Sequence, residues 1–337
     1  AREMLSRADL IVKGETRHIW GGTFHHIANR ILRRHAPKLG LSADYTILDR
    51  EDAADLLKSC VPEAGVRIEA RRFPEKRVLM EIASFAQNML EPLEDLLARR
   101  YPMFAGQCAE IRRVLELYAT RKRGGQLMDY DDLLGALLLL LREQASVREQ
   151  MAEHFLHILV DEYQDTNAIQ GAIVDLLGAA HRNVCVVGDD SQSIYSFRGA
   201  TFENIIGFKS RYPDAREYRL ETNYRSTPEI LELANASIAV NTRRLPKELR
   251  AVRPSGLRPA IVAAHDGPVQ ARFIAEYVLH LLDQGRKLTD VAVLYRSHWN
   301  SMEIQIEFQR RNIPFRVRGG LRFFEQAHIK DVLAHLR

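Results

Sequence analysis

Asp161 and Glu162 stand side by side directly after an apolar run, Phe155 to Val160, that only His157 interrupts. Two adjacent carboxylates can divide two tasks. Mg²⁺ favours oxygen ligands and gives up its waters reluctantly, so Asp161 can hold it through water. Glu162 is then placed to orient or deprotonate an attacking water. Hydrolysis of a nucleoside triphosphate needs that division of labour. The apolar run predicts a buried strand of a parallel sheet, and ligands of open α/β sheets sit at the carboxyl ends of the strands.

Further groups gather around the same pattern. Asn183 to Val187 reads as a second buried strand, running into Gly188-Asp189-Asp190-Ser191-Gln192. Gln192 carries an amide able to donate to a phosphate oxygen or, in the alternative reading, to make a hydrogen bond that caps its own loop. A third short strand near Tyr218 to Leu220 leads into Glu221-Thr222-Asn223-Tyr224-Arg225, and Arg225 offers a planar cation suited to phosphate. Tyr195 and Phe197 are two apart, followed by Arg198. In an extended loop both rings face one way and can receive unstacked bases, at roughly 1–3 kcal/mol per base in any sequence context. Two core aromatics are the alternative reading.

DEYQDTN (161–167), VGDDSQSIYSFRGA (187–200) and LETNYRST (220–227) resemble motifs II, III and IV of the UvrD/Rep/PcrA group of superfamily 1 DNA helicases. Gly22 to His26 through Arg34 resembles motif Ib, and Ala1 to Met4 the tail of motif Ia. Ile313 to Phe315, Gly319-Gly320, Arg322 to Glu325 and Ile329 to Asp331 resemble the start of the second motor domain. The resemblance implies RecA-like P-loop NTPase motor domains, α/β with a parallel sheet flanked by helices, carrying an inserted all-helical subdomain. It implies ATP and Mg²⁺ as cofactors and single-stranded and partly duplex DNA as partner. It also implies hydrolysis coupled to 3′→5′ movement and duplex unwinding, in repair or replication restart. Within it Asp161 and Glu162 are the metal and water residues, while Gln192 couples nucleotide state to the DNA site. Arg225 touches the γ-phosphate, and Tyr224 stacks on adenine, Tyr224 being equally readable as a core residue. Thr23 and His25 contact the DNA backbone near a helix start, His25 being equally readable as a structural hydrogen bond. The family commonly has tryptophan where Phe197 stands, so that stacking surface is smaller here.

The sequence contains no Gly-x-x-x-x-Gly-Lys-Ser/Thr, the loop that cradles phosphates. The resemblance places that loop upstream of Ala1 and motifs V and VI beyond Arg337. The chain therefore reads as an internal fragment, expected to hydrolyse ATP poorly alone. A non-catalytic single-stranded DNA binding module, or the helicase part of a recombination helicase-nuclease, is the alternative.

Composition bounds the answer without deciding it. The 337 residues suggest two to three domains, and the net charge of +4 cannot by itself carry a nucleic-acid reading. Four basic clusters read as solvated helix faces: Arg30, Arg33, Arg34 and Lys38; Arg71, Arg72, Lys76 and Arg77; Arg121 to Arg123; Arg243, Arg244, Lys247 and Arg250. Three cysteines without metal spacing point away from a disulfide framework or zinc site and towards a reducing cytoplasm. The longest apolar run, Leu133 to Leu141, is too short for a bilayer and reads as a buried helix capped by Asp129 to Asp132.

Helical periodicity dominates from Thr23 to Thr120, with segments at 23–35, 50–59, 76–99 and 106–119, and Arg123-Gly124-Gly125-Gln126 breaks it. Residues 1–22 and 126–217 are expected to form a first motor domain, with 23–125 inserted as a helical subdomain. Residues 218–337 are expected to begin the second, with strands near 260–264, 291–295 and 315–318.

Overall fold

The computed structural model describes residues 2–12, 15–66 and 73–318. The expected features at Ala1, at Arg71 and Arg72, and from Gly319 onward lie outside it. Helices open the chain: α1 (Arg2–Val12) and α2 (Phe24–His35) precede strand β1 (Thr46–Ile47), followed by α3 (Arg50–Glu63), α4 (Lys76–Met89), α5 (Leu93–Arg100) and α6 (Cys108–Gly124). The helix expected over 76–99 is two helices. Leu90 turns left-handed (φ 54°) at the end of α4, and Pro92 starts α5 on a new axis.

Strands and helices then alternate: β2 (Leu127–Met128), α7 (Tyr130–Glu143), α8 (Ala145–His154), β3 (Ile158–Val160), α9 (Ala168–Gly178) and β4 (Val184–Val186). After the single turns α10 (Glu203–Ile206) and α11 (Phe208–Arg211) come β5 (Thr222–Asn223), α12 (Pro228–Ala239), β6 (Arg250–Ala251), α13 (Gly267–Asp283) and α14 (Met302–Arg310). The pairs β1–β2, β3–β4 and β5–β6 are all parallel. Parallel neighbours need a crossover, and α9 supplies it between β3 and β4. This is α/β construction, with the helices making the core.

Two compact units result, one from residues up to 225 with 234–252, the other from 226–233 with 253 onward. In the first, Ala28, Ile31 and Leu32 of α2 pack with the buried leucines of α7 and with Ile169 and Ile173 of α9. Helices α3 to α6 close a separate core around Leu57, Leu79, Ile82, Leu97 and Ile111. Residues 23–125 therefore divide between two cores, α2 belonging to the one it shares with α7. In the second unit, Ala271, Ala275 and Val278 of α13 meet Ile304 and Phe308 of α14.

The leucine run becomes α7, its N-terminus closed by a reciprocal cap: Asp129 and Asp132 each accept the other's backbone N–H at 2.9 Å. Among the described residues no helix is long and apolar enough to cross a membrane. Three strand expectations are corrected. Tyr218 to Leu220 is exposed and unpaired in any ladder, and the strand forms two residues later at Thr222–Asn223. Among the described residues, 260–264, 291–295 and 315–318 join no sheet, and Ile261 and Leu294 stand almost fully exposed. Their β-branched residues favour extended backbone, but strand formation also requires a neighbour to complete the hydrogen bonds. Finally, the β3–β4 pair is covered on one face only, since Leu159 and Cys185 alternate outward.

Lys122 on α6 shows how the helices are pinned. Its ammonium is buried between Asp129 at 2.6 Å and Asp132 at 2.5 Å, and the Tyr118 hydroxyl donates to Asp129 at 2.8 Å. Burial first, then the Asp129 charge, pushes the Tyr118 phenol far above its usual range. Lys122→Met strands two enclosed carboxylates and is expected to cost about 3–5 kcal/mol in urea denaturation. A loss no larger than that of Arg123→Met would contradict this.

Candidate functional site

Strands β3 and β4 run side by side with Val160 opposite Val186, so both chains leave the sheet at the same edge. Tyr163 N–H donates to Val187 C=O at 2.9 Å and Val187 N–H to Val160 C=O at 2.8 Å, extending the register into both loops. Asp161 and Glu162 follow β3, both exposed, while Tyr163 and Gln164 are buried. Glu162 is what allows this abrupt reversal. Its backbone is left-handed (φ 51°, ψ 42°), a conformation that costs a non-glycine residue about 1–3 kcal/mol and is kept where surroundings over-determine it.

The surroundings are the Gln164 amide. Its nitrogen donates to the Glu162 carboxylate at 2.7 Å, and its oxygen accepts the Asp189 N–H at 2.9 Å. The loop after β4 continues the chain of contacts. Asp189 accepts from Ser191 N–H at 2.9 Å and from the Gln192 side-chain amide at 2.8 Å. Lys247 also donates to Asp189, and to Asp190 at 2.8 Å. Burial opposes charge on Asp189, but the hydrogen bonds from Lys247 and Gln192 outweigh it and hold its carboxyl below the usual range. Glu162 and Gln192 are thus joined through Gln164 and Asp189, and with Asp161 they line a cavity of about 770 Å³.

Among the described residues no three His, Cys, Asp or Glu side chains gather around a point. Mg²⁺ at a phosphate site needs only one or two carboxylates besides the phosphates and water, so the exposed Asp161 carboxylate suits it. Asp165 adds a buried carboxylate oxygen with no partner, its pKa raised by burial and by the Glu162 charge.

Tyr195 and Phe197 are exposed with ring centroids 5.9 Å apart, tilted by 49°. The loop expected to be extended is a 3₁₀ turn, Ser196–Arg198, ended by left-handed Gly199 (φ 87°) whose N–H reaches Ser196 C=O at 3.1 Å. That turn leaves the two rings in contact but tilted instead of parallel. The Arg198 side chain lies outside the described residues. Thr23 accepts the His26 N–H at 3.3 Å and so caps α2. His25 packs edge-on against Tyr130 at 5.7 Å, and burial lowers its pKa against the opposing charge of Asp131. Tyr224 and Arg225 are exposed in a turn where Asn223 accepts the Arg225 N–H at 2.9 Å. The structure gathers Asp161, Glu162 and Gln192, whereas Tyr224 and Arg225 are not part of that cavity's lining.

Residues 1–213 match the family described as UvrD/REP helicase N-terminal domain, and residues 218–337 match the UvrD-like helicase C-terminal domain. The chain belongs to the UvrD/REP helicase family. Among its relatives are proteins named ATP-dependent DNA helicase PcrA from Staphylococcus epidermidis and Staphylococcus aureus, each 34% identical over all 337 residues and 45% of the relative. The chain spans about half the length of the curated relatives it matches.

Sequence reading missed Gln164, Gly188 and Lys247. For Gly188 the signal was its position at the strand end. A Cβ there would come within 2.5 Å of the Gln164 amide oxygen and 2.8 Å of Ile205. Gly188→Ala is therefore expected to cost about 1–3 kcal/mol through overpacking and to displace the amide that fixes Glu162. Thermal unfolding checks the first effect, and proton exchange at the Asp189 amide the second. An unchanged Asp189 amide would contradict the clamp.

Proposed function

We propose that this chain supplies the water-activating and DNA-contacting part of an ATP-dependent DNA helicase, moving 3′→5′ on single strands and opening duplex in repair or replication restart. The observation that carries the reading is the bonded path from Glu162 through Gln164 and Asp189 to Gln192 at two neighbouring strand tips. A carboxylate and an amide held in one frame can act together on a water and a terminal phosphate. Glu162 takes the proton of the attacking water. Gln192 donates to an oxygen of the transferred phosphoryl group, where charge develops. Asp161 would hold Mg²⁺, which neutralises charge on the phosphates. Arg225 and Tyr224 are assigned to the γ-phosphate and the adenine.

On the DNA side, Tyr195 and Phe197 offer ring faces to unstacked bases. Thr23 and His25 mark the backbone contact at the start of α2. Burial lowers the His25 pKa, which favours the neutral ring and a contact made through its N–H. We assign residues 1–22 with 126–217 to a first motor domain, 23–125 to a helical insertion and 218–337 to the second.

The test is Glu162→Gln in the intact gene product. It removes the base while keeping the hydrogen-bond shape, so ATP binding should persist while kcat falls roughly 10²–10⁴-fold and unwinding stops. Hydrolysis at the parent rate would refute the assignment. DNA binding without ATP turnover in the parent protein would point instead to a binding module.

A further inference from the structure

Lys247 lies in the run leading to β6, apart from every motif residue assigned above. Its side chain is largely enclosed, 19% exposed, with its ammonium on Asp189 and Asp190. Asp190 is almost fully buried, and its second oxygen accepts the Leu245 N–H at 2.9 Å. Both ends of this link lead to candidate phosphate contacts. On one side, Asp189 holds the Gln192 amide at 2.8 Å. On the other, Arg250 and Ala251 form the parallel partner of Thr222–Asn223, and Asn223 accepts the Arg225 N–H.

We propose that Lys247 is a positioning residue that fixes Gln192 through Asp189 and ties its loop to the segment carrying Tyr224 and Arg225. The inference rests on the nucleotide site proposed above and deepens it. The geometry accounts for the residue type. One Asp189 oxygen takes the lysine and the Ser191 N–H, which leaves the other aimed at Gln192. Without the ammonium, that Asp189 oxygen loses the donor that anchors it whatever the charge on Asp190, and Asp189 turns away from its amide partner. A compact cation with three donors serves both carboxylates at once. Bond strain in Lys247 is not required; the two acids simply share it.

A merely structural ion pair would also sit buried, so the test must separate stability from positioning. Lys247→Met is compared with the double variant Lys247→Met/Asp190→Asn in the intact gene product. The double variant removes the uncompensated buried charge, yet keeps an oxygen for the Leu245 N–H, so stability should recover. Positioning predicts that kcat for ATP stays depressed in both, on the order of 10–100-fold, with KM for ATP little changed. It also predicts faster hydrogen exchange at the Ser191 and Gln192 amides in both. Recovery of kcat in step with stability, or unchanged exchange at those amides, would overturn the proposal. Should the parent protein hydrolyse no ATP while exchange still rises in the variants, the nucleotide reading fails and the tether by Lys247 stands.

Discussion

One buried amide sets the geometry on which everything else rests. Gln164 bonds the Glu162 carboxylate with one end and the Asp189 backbone with the other, so the loops after β3 and β4 cannot move separately. A parallel strand pair alone would bring two loops near one another without fixing their side chains. The amide turns proximity into a defined relation, because its donor and acceptor point in opposite directions and each has one partner. The left-handed backbone of Glu162 is held at the same place. Gly188 completes the arrangement by leaving room where any side chain would intrude.

Around this centre the charges are arranged in balanced groups. Lys247 faces two carboxylates, as Lys122 does near the start of α7. Both lysines are enclosed and both serve acids that also cap or receive backbone N–H groups. Enclosed ionic groups are retained where each member is satisfied, and losing one leaves the others exposed to the low dielectric. For Lys247 the result is a pinned loop, for Lys122 a pinned helix junction. The motif II tail is fastened in the same manner: Asn204 donates to Thr166 and Asn167 carbonyls, and Asn167 donates to Asn88 of α4 at 2.9 Å. The acidic loop is thereby bonded to the helical block as well as to its sister loop.

Much of this is legible in the sequence. An apolar run ending in Asp161-Glu162 marks a strand and the point where its chain leaves the sheet, and Asp129 with Asp132 announces the start of α7. Membership of the helicase family followed from motif wording. What stayed hidden has physical causes. Lys122 and Lys247 sit among arginines, so both read as parts of solvated clusters, and only tertiary packing shows that they turn inward. Gln164 stands inside a recognisable motif, but its two-sided role depends on a loop more than twenty residues away. Tyr195 and Phe197 suggest a platform only on alternating, extended backbone, whereas Gly199 permits a tight turn. Strands at 260–264 and 291–295 carried the right residue types, yet a strand is a relation between two segments and one segment cannot reveal it.

Replacing Mg²⁺ with paramagnetic Mn²⁺ gives the most direct test. With Mn²⁺ and ATP bound to the isotopically labelled intact gene product, relaxation broadens nuclei near the ion in proportion to proximity. If Asp161, Glu162 and Gln192 surround one nucleotide, the amide signals of residues 161, 162, 191 and 192 broaden together, and Asp161→Ala abolishes the effect. Broadening centred elsewhere, with these four signals sharp while ATP is demonstrably bound, would contradict the account.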